Sequence, residues 1–492
     1  MLLIGLAIAL LLGNFIIIVA MVLPIGLAIA LLLGYLLYRG MLHPALISPL
    51  SKLPAAHPSS HFASTWIWWR RRTGKESRSI FAAHQRCGPI VRLGPNEVSI
   101  TSQEGLHKIY SGRFAFTRTE WVLPFRNYNG TPNLVTMLDP REHATRRRML
   151  SNLFSKSYLL GSPDFSGLSQ AIIFARLLPI IDEAAGAGSG VDVFEISCAV
   201  AAEMMSAYQV GLESSLDLTS MGREEARKKH MENGKKKLRK GSKQAAEELE
   251  RECYETCLKT DKGSSLPTAT RPVIFTQLSI SIPAKEGVKT QTETLRLVAS
   301  ELLDHIEAAR VGIGITVTYA MYQLSQRPDL QSKLRYELMA LKVPLRYPLH
   351  GLLSRSVLHQ IDSIALLDAI VMETLRVHSP APGPQYRAVP EGGVVVKGYF
   401  IPAGVWISTS PYCLHRHASA YPNADKWKPE RWMTARNAKA EQSVDSASVG
   451  EEAQEDDLRR WFWAFGNGGR MCLGSNFALV GRYLTISDTW KI

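Results

Sequence analysis

Ten residues near the C-terminal end, Phe465-Gly466-Asn467-Gly468-Gly469-Arg470-Met471-Cys472-Leu473-Gly474, constrain this chain more than any other stretch. One cysteine sits in a glycine-rich loop, with an arginine two residues before it. Gly466, Gly468 and Gly474 let the backbone pass close to a flat ligand without Cβ clashes. The following segment, Ser475 to Leu484, reads as a helix start. Backbone N–H groups and a helix N-terminus then point at the sulfur, which favours thiolate over thiol. The plainer reading of such a loop is a buried cysteine packed by glycines.

The other end reads as a membrane element. From Met1 to Tyr38 no residue is charged, and only Asn14 and Pro24 interrupt a Leu/Ile/Ala/Gly run. About 20 apolar residues span a bilayer, so the run exceeds one pass and is marginal for two. Ile4–Gly13 recurs letter for letter as Ile25–Gly34, which keeps a hairpin turning at Pro24 open beside a single tilted anchor over 1–38. The single anchor is the expectation. No basic region precedes the run, so a cleaved signal peptide is not indicated. Arg39 follows directly, and positive charge flanking a span marks the cytosolic side. Residues 39–62, with Pro44, Pro49, Pro54 and Pro58, read as a stiff extended linker to a body over 63–492.

In the body, six cysteines among 492 residues make no disulfide framework, so a reducing compartment is expected. The net charge of +13 is concentrated at Arg70–Arg72, Arg146–Arg148 and Arg223–Lys243. Such a surface suits anionic lipid or an acidic protein partner; without any nucleic-acid fold signature, no nucleic acid is expected. The Arg223–Lys243 run by itself reads as a solvated linker. Helical patterns cover 141–154, 168–185, 193–210, 243–259, 292–326, 328–342 and 363–377. Strand patterns lie around Gly94-Pro95-Asn96, at Val394–Val396, and at Val405–Ile407. Residues 435–457 read as an acidic loop insertion. The fold class is mainly α with small β-sheets.

A second signature, Glu373-Thr374-Leu375-Arg376, puts an acid and a base on one helix face. Four other Glu-x-x-Arg matches occur, at Glu224, Glu248, Glu293 and Glu307, so position decides. Glu373 lies 99 residues before Cys472, with Pro429-Glu430-Arg431-Trp432 between them. In this order the motifs resemble those of the cytochrome P450 family, with the loop matching at Phe465, Gly466, Gly468, Arg470, Cys472 and Gly474. The resemblance implies the P450 fold and haem b, with Cys472 as axial iron ligand and Phe465, Gly466, Arg470 and Gly474 around it. It implies a buried triad of Glu373, Arg376 and Arg431 that braces the haem-side core. Haem carboxylates call for guanidinium forks, and the resemblance assigns His143 and Arg147, Arg387, and Arg470 to them. A helix-surface histidine is the plainer reading of His143.

Two departures stand out. Where the family's central helix carries an acid and a threonine that deliver protons, this chain has Val311 and Gly312, neither able to donate. Ala308, Ala309 and Gly312 leave a groove for oxygen, with Thr316 one turn on and Arg310 expected to face solvent. Only 20 residues follow Cys472, so the fold reads as shortened at its C-terminus. The resemblance, closest to fungal P450s of secondary metabolism, implies monooxygenation of a small apolar metabolite of terpenoid or polyketide type. Electrons would come from NADPH-cytochrome P450 reductase, since no flavin or nicotinamide motif is present. The setting would be the endoplasmic reticulum membrane, with the body facing the cytosol and the Asn129-Gly130-Thr131 sequon unused. A haem-thiolate isomerase or dehydratase, and a truncated non-catalytic haem-binding protein, are the alternatives.

Overall fold

In the computed structural model the apolar run forms one uninterrupted helix, α1 (Leu2–Leu37), with Pro24 inside it. At 1.5 Å per residue it is about 54 Å long. No turn forms at Pro24: the helix runs straight through it, and one hydrogen bond is lost there. A π-helical turn, Tyr38–Ile47, continues it. Residues 21–47 are long and apolar enough to cross a membrane, with mean hydropathy 2.2. A second stretch, 163–186, passes the same test but is half buried in the protein interior.

The structure describes residues 2–112, 116–128, 130–240, 242–263, 270–341, 353–433 and 458–489. The acidic stretch 435–457 and Asn129 of the sequon lie outside them. The chain forms two compact units, residues 1–106 with 388–408, and residues 107–387 with 409–492.

In the smaller unit the proline-spaced segment is not a free connector. Pro49–Lys52 and Pro58–His61 are 3-10 turns with proline at the first position, where a missing N–H costs nothing. Leu50 and Leu53 are buried, and the Ala56 and Arg92 N–H groups donate to the Arg92 and Pro54 carbonyls at 2.9 and 2.8 Å. Helix α2 (Thr65–Arg72) follows. Strands β1 (Ile90–Gly94) and β2 (Glu97–Ile100) pair antiparallel, with Ile90 opposite Ile100. Strands β3 (Val394–Val396) and β4 (Tyr399–Ile401) form a hairpin whose two-residue turn, Lys397-Gly398, takes positive φ at both positions. Strand β5 (Trp406–Thr409) runs parallel to β2, with Val98 opposite Ile407.

The larger unit is helical. Its principal elements are α3 (Pro140–Leu150), α4 (Val193–Val210), α5 (Glu224–Lys240), α6 (Lys243–Asp261), α7 (Val273–Glu286), α8 (Gln291–Ser325), α9 (Ala365–Val377) and α10 (Ser475–Thr489). Helix α8 is capped by the Thr290 hydroxyl, which accepts the Glu293 N–H at 3.2 Å. It crosses α4 at Gly314, where a Cβ would stand 2.9 Å from the Cys198 Cα. The Arg223–Lys243 run is not a linker: it forms α5, because Glu, Lys and Arg are good helix formers. Its Arg227 and His230 face inward, and Arg227 Nε donates to Glu195 at 2.9 Å. Arg310 does not face solvent either. It is buried and bidentate to Glu307 at 2.6 and 3.1 Å, in a space that a Cβ at Gly234 would close. Arg146 ties α3 to α7 and α8 through Glu286 at 2.5 Å and Glu301 at 2.9 Å.

Three buried histidines and the half-buried His378 make stability depend on pH. Burial pushes His84 and His378 down to about 4, and His143 and His415 down to about 3. Each is neutral when folded and takes up a proton near its ordinary value of about 6.5 when unfolded. The unfolded state therefore binds more protons between about pH 6.5 and 3, and stability falls as pH drops through that window. Asp304, raised to about 7 by burial, acts in the opposite sense, as do His305, raised by Glu301 against the cost of burial, and Glu337, so they offset part of this loss. Denaturant midpoints are expected to be lower at about pH 5 than at about pH 7.5; equal midpoints would refute this.

Candidate functional site

The cysteine loop needs its glycines. Gly466 and Gly468 sit at φ +69° and +67°, and a Cβ on Gly468 would collide with the Tyr110 carbonyl. The Cys472 N–H donates to the Phe465 carbonyl at 2.8 Å, which closes the loop. The Ala478 N–H donates to the Gly474 carbonyl at 2.8 Å, which starts α10. A Cβ on Gly474 would meet no protein atom within 4 Å.

Cys472 as a residue is exposed, yet protein crowds around its thiol. Burial pushes the thiol up, while the Gly474 N–H, Arg482 and Arg147 act the other way. Helix and N–H groups thus do not by themselves tip this sulfur to thiolate, because desolvation is the larger effect. A cation bound at a thiol reverses that balance.

Behind the loop lies a closed network. Glu373 and Arg376 on α9 are fully buried and bidentate at 2.8 Å and 2.8 Å. Glu373 also accepts from Arg431 Nε at 3.0 Å, Trp432 Nε1 at 2.9 Å and the Lys428 N–H at 2.9 Å. Arg376 Nη1 donates to the His415 carbonyl at 2.8 Å. His415 accepts the Trp463 N–H at Nε2, 2.9 Å, and bonds the Arg376 carbonyl through Nδ1 at 3.0 Å. The network thus reaches Trp463, two residues before Phe465, and anchors the loop's entry.

The predicted arginines gather in the same unit. Arg147 Nη1 donates to the Met471 carbonyl at 2.6 Å, and Arg470 donates to the Met137 and Leu138 carbonyls at 2.7 and 3.1 Å. Arg387 is buried, with its Cζ 4.9 Å from the centre of the Tyr110 ring. His143 is buried on α3 rather than on its surface, and its neighbours include Arg470, Arg118 and Arg147. Burial and the charges of Arg118 and Arg387 lower Arg470 to about 9; burial and Arg387 lower Arg118 to about 10. Among the described residues no carboxylate forms an ion pair with Arg118, Arg147, Arg387 or Arg470. Mutually repelling guanidiniums without carboxylate partners fit a ligand carrying two carboxylates.

Helix α8 divides the expected oxygen groove. Ala308 is exposed, and a Cβ on Gly312 one turn later would meet nothing within 4 Å, so this face borders open space. Ala309 and Thr316 are buried instead, and the Thr316 hydroxyl donates to the Gly312 carbonyl at 2.9 Å. Thr316, one turn after Gly312, is thus a buried hydroxyl bonded to its own helix. Asp304, two turns before Gly312, shares the Ala308 face, and a carboxyl near 7 can hold or release a proton there at neutral pH.

Three residues of this region carry no motif and escaped the sequence reading: Arg118, Asp304 and Arg482. Only Asp304 had a signal, its spacing of four and eight residues from Ala308 and Gly312.

Comparison with known proteins agrees with these motifs. The family described as Cytochrome P450 matches residues 225–487. A cytochrome P450 monooxygenase of Aspergillus versicolor, avaI, is 28% identical over 417 residues, covering 82% of this chain and 95% of the relative. Another, orf2 of Aspergillus niger, is 23% identical, covering 90% of this chain and 86% of the relative. Among solved structures, a cytochrome P450 (CYP102L1) superimposes with a TM-score of 0.64 at 15% identity, covering 85% of this chain and 87% of that one. The last likeness speaks to the fold.

Proposed function

Since the chain belongs to the cytochrome P450 family, we propose that it is a membrane-anchored haem-thiolate monooxygenase acting on a small apolar metabolite of terpenoid or polyketide type. The observation that carries this reading is the convergence, in one compact unit, of the Cys472 thiol, four guanidiniums without carboxylate partners, and the open face at Ala308 and Gly312. In this reading haem b supplies dioxygen activation and C–H oxidation. The chain's own residues do the rest. Cys472 holds the iron through sulfur, Arg118, Arg147, Arg387 and Arg470 take the two carboxylates, and His143 packs among them. The triad of Glu373, Arg376 and Arg431 keeps the loop in register.

Electrons are assigned to NADPH-cytochrome P450 reductase, drawn to basic surface by charge. Anchoring is assigned to α1 in the endoplasmic reticulum membrane, with the body cytosolic. Exposed Trp68 and Trp69 beside Arg70 and Arg72 on α2 support contact with the lipid interface.

A haem-thiolate isomerase or dehydratase is the second reading, favoured by one observation. Val311 and Gly312 offer no proton, and the Thr316 hydroxyl is engaged by Gly312. Microsomes holding the full chain and a reductase, fed apolar extracts of the source organism, distinguish the two. NADPH-dependent products enriched in oxygen are expected. Turnover without NADPH and without added oxygen would favour the second reading, and absence of a haem-thiolate spectrum would overturn both.

A further inference from the structure

Asp304 lies on α8 one turn before Ala308 and two before Gly312, about 6 and 12 Å along the helix axis. Spacings of four and eight residues keep the three on one face. That face borders open space at Ala308, which is exposed, and at Gly312, where a Cβ would meet no protein atom within 4 Å. One turn before Asp304 the helix is covered. The Asn127 amide donates to the Ser300 carbonyl at 3.2 Å, the Leu134 N–H to Glu301 at 3.1 Å, and Lys237 Nζ on α5 to Asn127 at 3.0 Å. The charged groups around Asp304 are engaged elsewhere: Lys237 by Asn127, Arg118 by the Val135 carbonyl at 2.6 Å, His305 by Glu301 at 3.4 Å, and Glu301 by Arg146 at 2.9 Å. Among the described residues nothing donates a hydrogen bond to the half-buried Asp304 carboxyl, and no cation pairs with it. A carboxyl shielded from water without a partner is costly, and a donor brought by a bound molecule offsets that cost. Arg118 and Lys237 add positive potential here, which disfavours an ammonium, so a neutral hydroxyl is the donor that fits.

Resting on the haem-thiolate reading, we propose that Asp304 is a specificity-determining residue, whose carboxyl accepts a hydrogen bond from a hydroxyl on an otherwise apolar substrate. The anchor stands at the covered end of the face and leaves the rest of the molecule to lie along Ala308 and Gly312. The substrate is then a metabolite that already carries oxygen, with its hydroxyl about 6 to 12 Å from the part lying against those two residues. The reaction that supplies it must install a hydroxyl, by hydroxylation, hydration or carbonyl reduction.

The test uses the full-length haem-loaded protein and its Asp304→Leu and Asp304→Ala variants. Two matched probe pairs are titrated, farnesol against farnesene and 1-dodecanol against dodecane, with the Soret shift giving Kd without turnover. Wild type is expected to bind at least one alcohol about tenfold more tightly than its hydrocarbon, and both variants should lose that advantage while keeping their affinity for the hydrocarbon. Equal affinities within both pairs in wild type would overturn the proposal, as would variants that keep the preference, or a wild type that responds to neither alcohol. Should the leucine variant fail to load haem, the alanine variant carries the same comparison. A variant that keeps the alcohol preference but spends more NADPH per product would assign Asp304 to proton delivery and also overturn the proposal. A wild-type protein without a thiolate-type carbon-monoxide spectrum would instead sink the haem-thiolate reading itself.

Discussion

Replacing Cys472 with serine is expected to abolish the thiolate-type carbon-monoxide spectrum and drive turnover below detection, with far-UV circular dichroism unchanged. The fold should survive, because the Cys472 contact that closes the loop is made by its backbone N–H to Phe465. Gly466 and Gly468 hold the turn whatever side chain follows. The chemistry should not survive, because a serine hydroxyl is a far weaker acid than a thiol and a poor donor to iron. No other cysteine can replace it. Cys198, Cys253, Cys257 and Cys413 are buried in the protein interior, and Cys87 lies in the smaller unit. A serine variant that kept an unaltered Soret band would remove the basis of the functional reading.

The second large effect is expected from Glu373→Ala. The carboxylate is fully buried and accepts from Arg376, Arg431, Trp432 and the Lys428 backbone. Its removal strands the Arg376 guanidinium in the interior, and breaking a buried pair on one side costs about 3–5 kcal/mol. That is a large part of the 5–15 kcal/mol typical of a folded domain. The damage should reach the cysteine loop, because Arg376 holds His415 and His415 holds Trp463. The expected outcome is a lowered melting temperature together with substoichiometric haem. Arg431→Ala should cost less, since Arg431 donates one bond to Glu373 and its guanidinium reaches outward to the Pro422 carbonyl at 3.4 Å. Equal melting temperatures for Glu373→Ala and wild type would show that the network is not structural.

What could be read in advance was whatever is local. The cysteine loop announces itself because its φ values demand glycine. The helices 193–210 and 291–325 follow from apolar spacing and capping residues. The hidden parts depend on three-dimensional neighbours. Helix α7 has Ser and Thr interleaved with Ile and a proline at 283, so no periodicity marks it. The 223–243 run looks solvated by composition, yet Arg227, His230 and Gly234 turn one face inward. Arg146 and Arg147 are adjacent letters, but one salt-bridges the interior and the other reaches Met471. The resting preference of the thiol also escaped the sequence, because desolvation strength is a property of the packed protein. Arg118 and Arg482 belong to no motif and become visible only when other guanidiniums, or none of the carboxylates, stand nearby.

The near-touching of Gly314 and Cys198 divides the central helix for anyone wishing to reshape its specificity. Enlarging residue 314 would lever two helices apart, since the obstacle is main chain and cannot swing aside. Bulk added at 308 or 312 would grow into free volume and trim the room left for a guest molecule. Diversity for directed evolution therefore belongs at the latter two positions, with the former kept as a hinge pin.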